Sequence, residues 1–422
     1  MKSKQIYFIL FLLITISAII HIYHINIPAK PVFDESFFAT FSADYIKNQS
    51  FFDIHPPLGK LIYAFILKIY NPNFQTYKFI QILPKMYAKA INIPFNDYPY
   101  IILRLTNSFF GILLIPLFFL FLQKLNLNDK SSLFGAFLIT FEPVFIIESR
   151  LILLNTFLFV FGLLFLINYL DNKNVAAGIF LGLTLSTKLT GILFLSLPFA
   201  LILITNDKTK LKNMQKILII AFFILFTIWI TTILIFNFNI NQYTLITISL
   251  FNKTLPQLNN IINYILNSVS GYLFIGGTNS GQSYWFEWLI MHGVIKYYDH
   301  KIFLIGNIAI WYGVLAGIIF SIIYLINFLK NKIKNKKISP DKNLIALFLS
   351  FIFSLEIFIT INRPTFLYHY FISLIFGLAL ISHLFDKYLL NIQNKNLRNK
   401  IIFSAIFSVL LFFILTIPFF II

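Results

Sequence analysis

The chain has 422 residues, 59% of them hydrophobic and 18% aromatic, and a formal net charge of +18. That composition excludes a soluble globular domain, which cannot hide so much apolar surface from water, and the lack of cysteine excludes disulfides and thiolate metal sites. The positive charge clusters in short loops between apolar runs, where it encodes membrane orientation, so it argues against a nucleic-acid partner.

Met1–Lys4 is basic and leads into the apolar span Gln5–Tyr23. This span is long for a signal-peptide core and no small-residue cleavage site follows it, so it is expected to remain as an anchor. Residues 26–99 form a long polar and aromatic loop. Further apolar spans follow at about 100–123, 131–148, 150–170, 174–187, 190–205, 215–238, 303–329, 342–361, 366–388 and 400–421. The expectation is an all-α polytopic membrane protein with about eleven transmembrane helices, residues 1–422 making one membrane domain.

Alternating from a cytoplasmic N-terminus puts Lys124–Lys130, Asp171–Asn174, Asp207–Lys216, Lys330–Lys342 and Asp386–Lys400 inside. These loops hold the dense lysine clusters, as the positive-inside rule asks. Most acids then fall outside, including Asp34, Glu35, Asp53, Asp97, Glu148, Glu287 and Asp299, and so does the C-terminus.

Two long segments face outward, 26–99 and 239–302. In the first, Leu58, Leu61, Ile62, Phe65, Ile66 and Ile69 recur on one helical face flanked by Lys60 and Lys68, which predicts a helix lying in the membrane interface. Phe37, Phe38, Phe41 and Tyr45 predict a second, shorter one.

The same loop concentrates the groups that could do chemistry: the adjacent carboxylates Asp34 and Glu35, then Asp53 beside His55-Pro56-Pro57, then Lys60. Charged groups at a membrane face are costly unless they are used. Arg104, Arg150, Lys188 and Arg363 all fall at the outer ends of spans, against the orienting rule. Any one of them reads as a side chain snorkelling to headgroups. Four of them level with a carboxylate pair point to a bound anion, and the anion natural to that depth is a lipid phosphate or diphosphate. A base beside such a cluster can take the proton of an acceptor hydroxyl while the cations stabilise the departing phosphate. Asp53 and His55 are chemically suited to a divalent metal, but no second ligand pair stands at a convincing spacing, so a metal stays open as the less favoured reading and no cofactor is required.

The second outer segment is aromatic, with Tyr272, Tyr284, Trp285, Trp288, Tyr297 and Tyr298 around Glu287. It reads equally as an interfacial belt or as a lid over the acidic pair that contacts sugar or peptide. GGTNSG at 276–281 follows no strand and reads as a flexible loop.

FDESFFATFSADYIKNQSFFDIHPPLGK resembles the first outer loop of the protein O-mannosyltransferase family. The likeness continues through YIILRLTNSFFGILLIPLF, ESRLILLNTFLFVF, AAGIFLGLTLSTKLTG, SYWFEWLI and RPTFLYHYF, in the family's order. The resemblance implies a GT-C fold and inverting transfer of mannose from a polyprenyl phosphate to serine or threonine hydroxyls of exported proteins. It makes Asp34 the base, Glu35 its orienting neighbour, and Arg104 and Lys188 donor-phosphate ligands, with Arg150 and Arg363 as further cations. Tyr368 and His369 lie in its late aromatic stretch. Ser36-Phe37-Phe38 follows the acidic pair where the family usually has a histidine, and Asn155 stands where its ILLD stretch has the aspartate. Residues 239–302 are too few for the β-trefoil of eukaryotic members, so a compact bacterial version in the inner membrane is expected.

Two other readings remain open. One keeps the fold but takes lipid A or a cell-envelope glycan as acceptor. The other is a transporter, against which stand the lack of a clear repeat and the position of charges at span ends, Glu356 excepted. Oligomeric state is left open.

Overall fold

The computed structural model describes residues 3–49, 51–70, 80–83, 86–89, 94–236, 262–270, 281–298, 301–334, 339–359 and 364–420. Helix α1 (Ser3–Ile22) leads to two helices of the first long loop, α2 (Glu35–Ile46) and α3 (Leu58–Tyr70). A two-stranded antiparallel ribbon follows, β1 (Ile80–Leu83) with β2 (Met86–Lys89). Then come α4 (Tyr100–Lys124), α5 (Asp129–Thr140), α6 (Pro143–Arg150), α7 (Asn155–Leu170) and α8 (Asn174–Thr187). A 3₁₀ stretch, Leu189–Leu195, opens into α9 (Ser196–Thr205), followed by α10 (Lys208–Ile235) and a short helix α11 (262–270). A second antiparallel ribbon pairs β3 (Ile295–Tyr298) with β4 (Ile302–Leu304). The chain ends with α12 (Ile308–Ile333), α13 (Lys342–Glu356), α14 (Phe371–Leu384) and α15 (Lys395–Thr416).

Every predicted span coincides with helix, but not every one is a full span. Among the described residues seven helices are long and apolar enough to cross a membrane, or eight if the bent pair α5 and α6 is one span. The other three predicted spans are the shorter apolar helices Asn155–Leu170, Asn174–Thr187 and Leu189–Thr205. The bend between α5 and α6 is 56°. Pro143 causes it: proline supplies no N–H and favours the first helical position, and the Glu142 carboxylate accepts the Val144 N–H to start a new helix.

Several helices begin on an Asn or Asp cap that accepts an otherwise orphaned N–H, as at Asn128, Asp207, Asn307, Asp341 and Asn394. Helix α14 runs through the interior, with 83% of its span buried, whereas α15 lies at the periphery with 17%. Helix α4 packs against α1, α5, α6 and α7. A glycine makes one of these approaches close: a Cβ on Gly111 would fall 2.4 Å from the Ser149 Cβ, so only glycine lets α6 reach α4 here.

The two predicted interfacial helices divide in character. On α3 the expected apolar stripe faces outward, with Phe65 and Ile69 exposed, while Gly59, Lys60, Tyr63, Ala64 and Leu67 are buried. Helix α2 is instead enclosed: Phe38, Phe41 and Tyr45 are buried along with Glu35, Ser36 and Asp44. Its aromatic stripe packs into protein, Phe41 stacking on Phe51 at 4.4 Å and Tyr45 meeting Phe236 at 4.7 Å.

Candidate active site

The loop after α1 delivers the acidic pair to the end of α4, and the two carboxylates part company there. Glu35 opens α2 and is fully buried. Its Oε1 accepts the Arg104 Nε–H at 2.8 Å and its Oε2 accepts Arg104 Nη2–H at 2.7 Å. The backbone N–H groups of Val32 and Ile152 donate to the same carboxylate at 2.8 and 2.9 Å. Arg104 also donates Nη1–H to the carbonyls of Ile25 and Pro28 and Nη2–H to that of Lys30, at 2.9–3.2 Å. A guanidinium has five N–H donors, and all five are spent on protein acceptors. The rings of Phe95 and Tyr100 cover its carbon at 5.6 and 5.0 Å. In this arrangement the predicted phosphate ligand Arg104 has no N–H to offer a phosphate, and Glu35 is turned into the fold rather than toward an acceptor.

Asp34 sits at the N-cap of α2, half-buried, with no side-chain bond to the helix backbone. Phe33 before it has φ of 52°, a left-handed conformation unfavourable for a large L side chain. Two rings hold it: Tyr297 of β3 stacks on Phe33 at 4.1 Å and 7°, and Tyr368 meets it edge-on at 6.1 Å. The Asp34 charge acts on Tyr297 and on Glu148, which places all three in one neighbourhood.

Lys188 lies in the break between α8 and the 3₁₀ stretch, in extended backbone. Its Nζ donates to Asn155 Oδ1 at 3.0 Å and stands 4.8 Å over the Tyr368 ring. Asn155 Nδ2–H in turn donates to Glu148 Oε2 at 2.9 Å, and the Tyr297 hydroxyl donates to Glu148 Oε1 at 2.6 Å. Burial, followed by the Glu148 charge, holds the Tyr297 pKa well above the ordinary tyrosine value, so the hydroxyl remains a donor.

The other predicted residues fall in separate groups. Arg150 donates to the carbonyls of Ile20, His21 and His24, so it caps the end of α1, where a cation is favoured. Asp53 forms a buried ion pair with Lys60, which also donates to the His55 carbonyl at 2.7 Å; the His55 N–H returns to Asp53 Oδ1 at 3.2 Å. Burial lowers the Lys60 pKa and the Asp53 charge opposes that shift. Among the described residues no cluster of three or more His, Cys, Asp or Glu stands ready for a metal ion. Arg363 lies outside the described residues, as does most of GGTNSG.

Residues 281–298 and 364–370 are joined to each other. Ser283 and Thr365 exchange bonds: the Ser283 N–H donates to the Thr365 carbonyl at 2.9 Å and the Thr365 hydroxyl to the Ser283 carbonyl at 2.7 Å. Trp288 is fully buried, donating Nε1–H to Ser283 Oγ at 2.9 Å and stacking near His369 at 6.2 Å, and the Phe366 N–H donates to His369 Nδ1 at 3.0 Å. Trp285 is half-buried beside Phe286, and Glu287 accepts the Tyr284 N–H at 2.7 Å and pairs with His292 at 3.2 Å. Of the late aromatics, Tyr368 faces Lys188, while Trp288 and His369 pack against each other.

From the sequence Glu148 stands only among the outer acids, Tyr297 only among the aromatics of a belt or lid, and Asn155 only as a departure. The available signal was an acid buried at the end of an apolar span, which is rarely idle.

Residues 11–246 match the family described as dolichyl-phosphate-mannose-protein mannosyltransferase, and residues 260–422 match the C-terminal four-transmembrane region of protein O-mannosyltransferases. Mannosyltransferase 6 of Candida albicans is 32% identical over 155 residues, covering 36% of this chain and 17% of that protein. Mannosyltransferase 4 of Schizosaccharomyces pombe is 28% identical over 218 residues, covering 48% of this chain and 27% of that protein. The chain thus spans about a sixth to a quarter of these curated relatives' length. In structure it is similar to the Saccharomyces cerevisiae Pmt1–Pmt2 complex bound to the sugar donor, with a TM-score of 0.82 at 15% identity, covering 100% of this chain and 90% of that one. ArnT from Cupriavidus metallidurans bound to undecaprenyl phosphate follows at 0.55 and 12% identity, covering 94% and 62%. The GT-C architecture expected from the sequence is therefore the one observed.

Proposed function

This chain belongs to the dolichyl-phosphate-mannose-protein mannosyltransferase family, and on that premise we propose that it transfers mannose from a polyprenyl-phosphate donor to serine or threonine hydroxyls of exported proteins. Asp34 is the base. It takes the proton of the acceptor hydroxyl as that oxygen attacks the anomeric carbon. The bond between that carbon and the phosphate oxygen breaks, and the electron pair leaves with the lipid phosphate. Lys188 stabilises the charge as it develops there. One base and one leaving group give inversion, without the second, nucleophilic carboxylate of a retaining enzyme.

A single observation carries the reading: half-buried Asp34 and cationic Lys188 share one aromatic neighbourhood, Phe33 meeting Tyr368 at 6.1 Å and Lys188 lying 4.8 Å over that same ring. The ArnT neighbour was captured with undecaprenyl phosphate and the Pmt1–Pmt2 neighbour with its sugar donor, which agrees with a lipid-phosphate donor. Arg104 and Glu35 position the loop that carries Asp34. In this reading the acidic end faces outward, away from the lysine-rich loops.

The test is a membrane assay with radiolabelled polyprenyl-phosphate mannose. Label is expected on serine and threonine of protein. Label entering only lipid or glycan would move the acceptor to the cell envelope, and no transfer at all would overturn the reading.

A further inference from the structure

Tyr297 is neither the carboxylate nor the cation, yet it touches the surroundings of both. Its ring stacks at 4.1 Å on Phe33, the residue before Asp34. Its hydroxyl begins a hydrogen-bonded chain that runs through Glu148 at 2.6 Å and Asn155 at 2.9 Å to Lys188 at 3.0 Å. All four members are buried, between 1% and 8% exposed.

The direction of that chain is fixed by chemistry. An ammonium only donates and a carboxylate only accepts, so the amide between them must turn its oxygen to Lys188 and its nitrogen to Glu148. A carboxylate at 155 could accept from Lys188 but could not donate to Glu148, and two anions would then face each other in a buried place. The neutral amide also places one unit less of negative charge against Lys188 than a carboxylate would. The departure at Asn155 is therefore accommodated by Glu148, which supplies the anion, and by Tyr297, which satisfies the other Glu148 oxygen.

We propose that Tyr297 is a positioning residue that sets both ends of the site from one place: its ring holds Phe33 and so aims the Asp34 carboxylate, and its hydroxyl holds Glu148 and Asn155 and so aims the Lys188 ammonium at the donor phosphate. The inference rests on the reading of the site as a lipid-phosphate transferase. Tyr297 lies on β3, in the second outer segment, so the seating of that segment becomes a condition for base and cation to stand in register. The left-handed Phe33 gives the ring its leverage, because that conformation relaxes unless neighbours enforce it.

Two substitutions separate the functions. Tyr297→Phe keeps the ring and deletes the hydroxyl; the donor KM is expected to rise about tenfold, the effect of one charge-assisted hydrogen bond, with kcat within about threefold of the parent. Tyr297→Ala removes the ring too and is expected to lower kcat by about tenfold more. The coupling is read in a double variant: added to Lys188→Met, Tyr297→Phe should change donor KM by less than about twofold, because the chain then has no cation to aim. An unchanged donor KM in Tyr297→Phe, or fully multiplicative effects in the double variant, would overturn the proposal. Thermal unfolding in one detergent checks that Tyr297→Phe is folded. Affinity for polyprenyl phosphate alone, measured without turnover, keeps this result distinct from the fate of the functional reading. If the parent chain transferred no mannose, a weakened affinity in Tyr297→Phe would still support the chain to Lys188, and an unchanged one would overturn it.

Discussion

Asp34 and Glu35 are neighbours in sequence and belong to two different regions of the molecule. The Glu35 region is closed. Its carboxylate receives four N–H groups, its partner Arg104 spends five, and both side chains are sealed from solvent. The Asp34 region is half-open and held by rings and an amide, with Lys188 reached through Asn155 and covered by Tyr368. The contrast teaches that charge alone does not mark a binding group at a membrane face. A buried ion pair whose donors and acceptors are all satisfied is scaffold, because a ligand would have to break a bond to be held.

That contrast can be broken experimentally, and the Glu35 region gives the largest expected effect. Arg104→Met should leave Glu35 charged, buried and unpaired, a loss of about 3–5 kcal/mol. It should appear as a collapse of folded yield and unfolding temperature in detergent. A well-folded Arg104→Met with weakened donor affinity would instead restore Arg104 to the phosphate. Lys188→Met should do the reverse. Folded yield is retained, and affinity for polyprenyl phosphate in a titration falls about tenfold to a hundredfold, as befits a lost charge-assisted bond. The smallest effect belongs to Arg150. As a cap on the α1 carbonyls, Arg150→Gln should lower stability by about 1 kcal/mol, read as a shift of a few degrees in unfolding temperature, with donor affinity unchanged.

Much of the architecture was legible in the sequence. Long apolar runs found the helices, because a bilayer demands them. The amphipathic stripe of α3 found its outward face. The count of crossings was less legible. Hydropathy sees the 129–150 run as continuous, but Pro143 breaks it, and the three segments between 155 and 205 are apolar without being long. The aromatic stripe of α2 misled for a related reason: apolar residues that would suit a lipid surface suit a protein interior equally well.

At the proposed site the family resemblance already separated Asp34 as base from Glu35 as its neighbour, but not the burial of Glu35 against Arg104. Four cations at one level looked alike because sequence shows charge and not partners. Arg104 meets Glu35 across 69 positions and Arg150 meets the end of α1 across about 130, and no local pattern announces either. The Asp53 and Lys60 pairing, only seven positions apart, was closer to legible: His55-Pro56-Pro57 turns the chain back so that the lysine reaches the carboxylate. The bond between Glu148 and Tyr297 joins positions 149 apart, and β3 brings the Tyr297 ring onto Phe33 beside Asp34, contacts that no local pattern announces.

The central claim is that Asp34 acts on the acceptor and not on the fold or the donor. Asp34→Asn tests it most directly, with transfer and polyprenyl-phosphate affinity measured on the same preparation. Removing a general base is expected to lower transfer by about a hundredfold or more, while the donor dissociation constant stays within about threefold and the unfolding temperature holds. Transfer at the parent rate, or a loss of transfer that follows a matching loss of donor affinity, would contradict it.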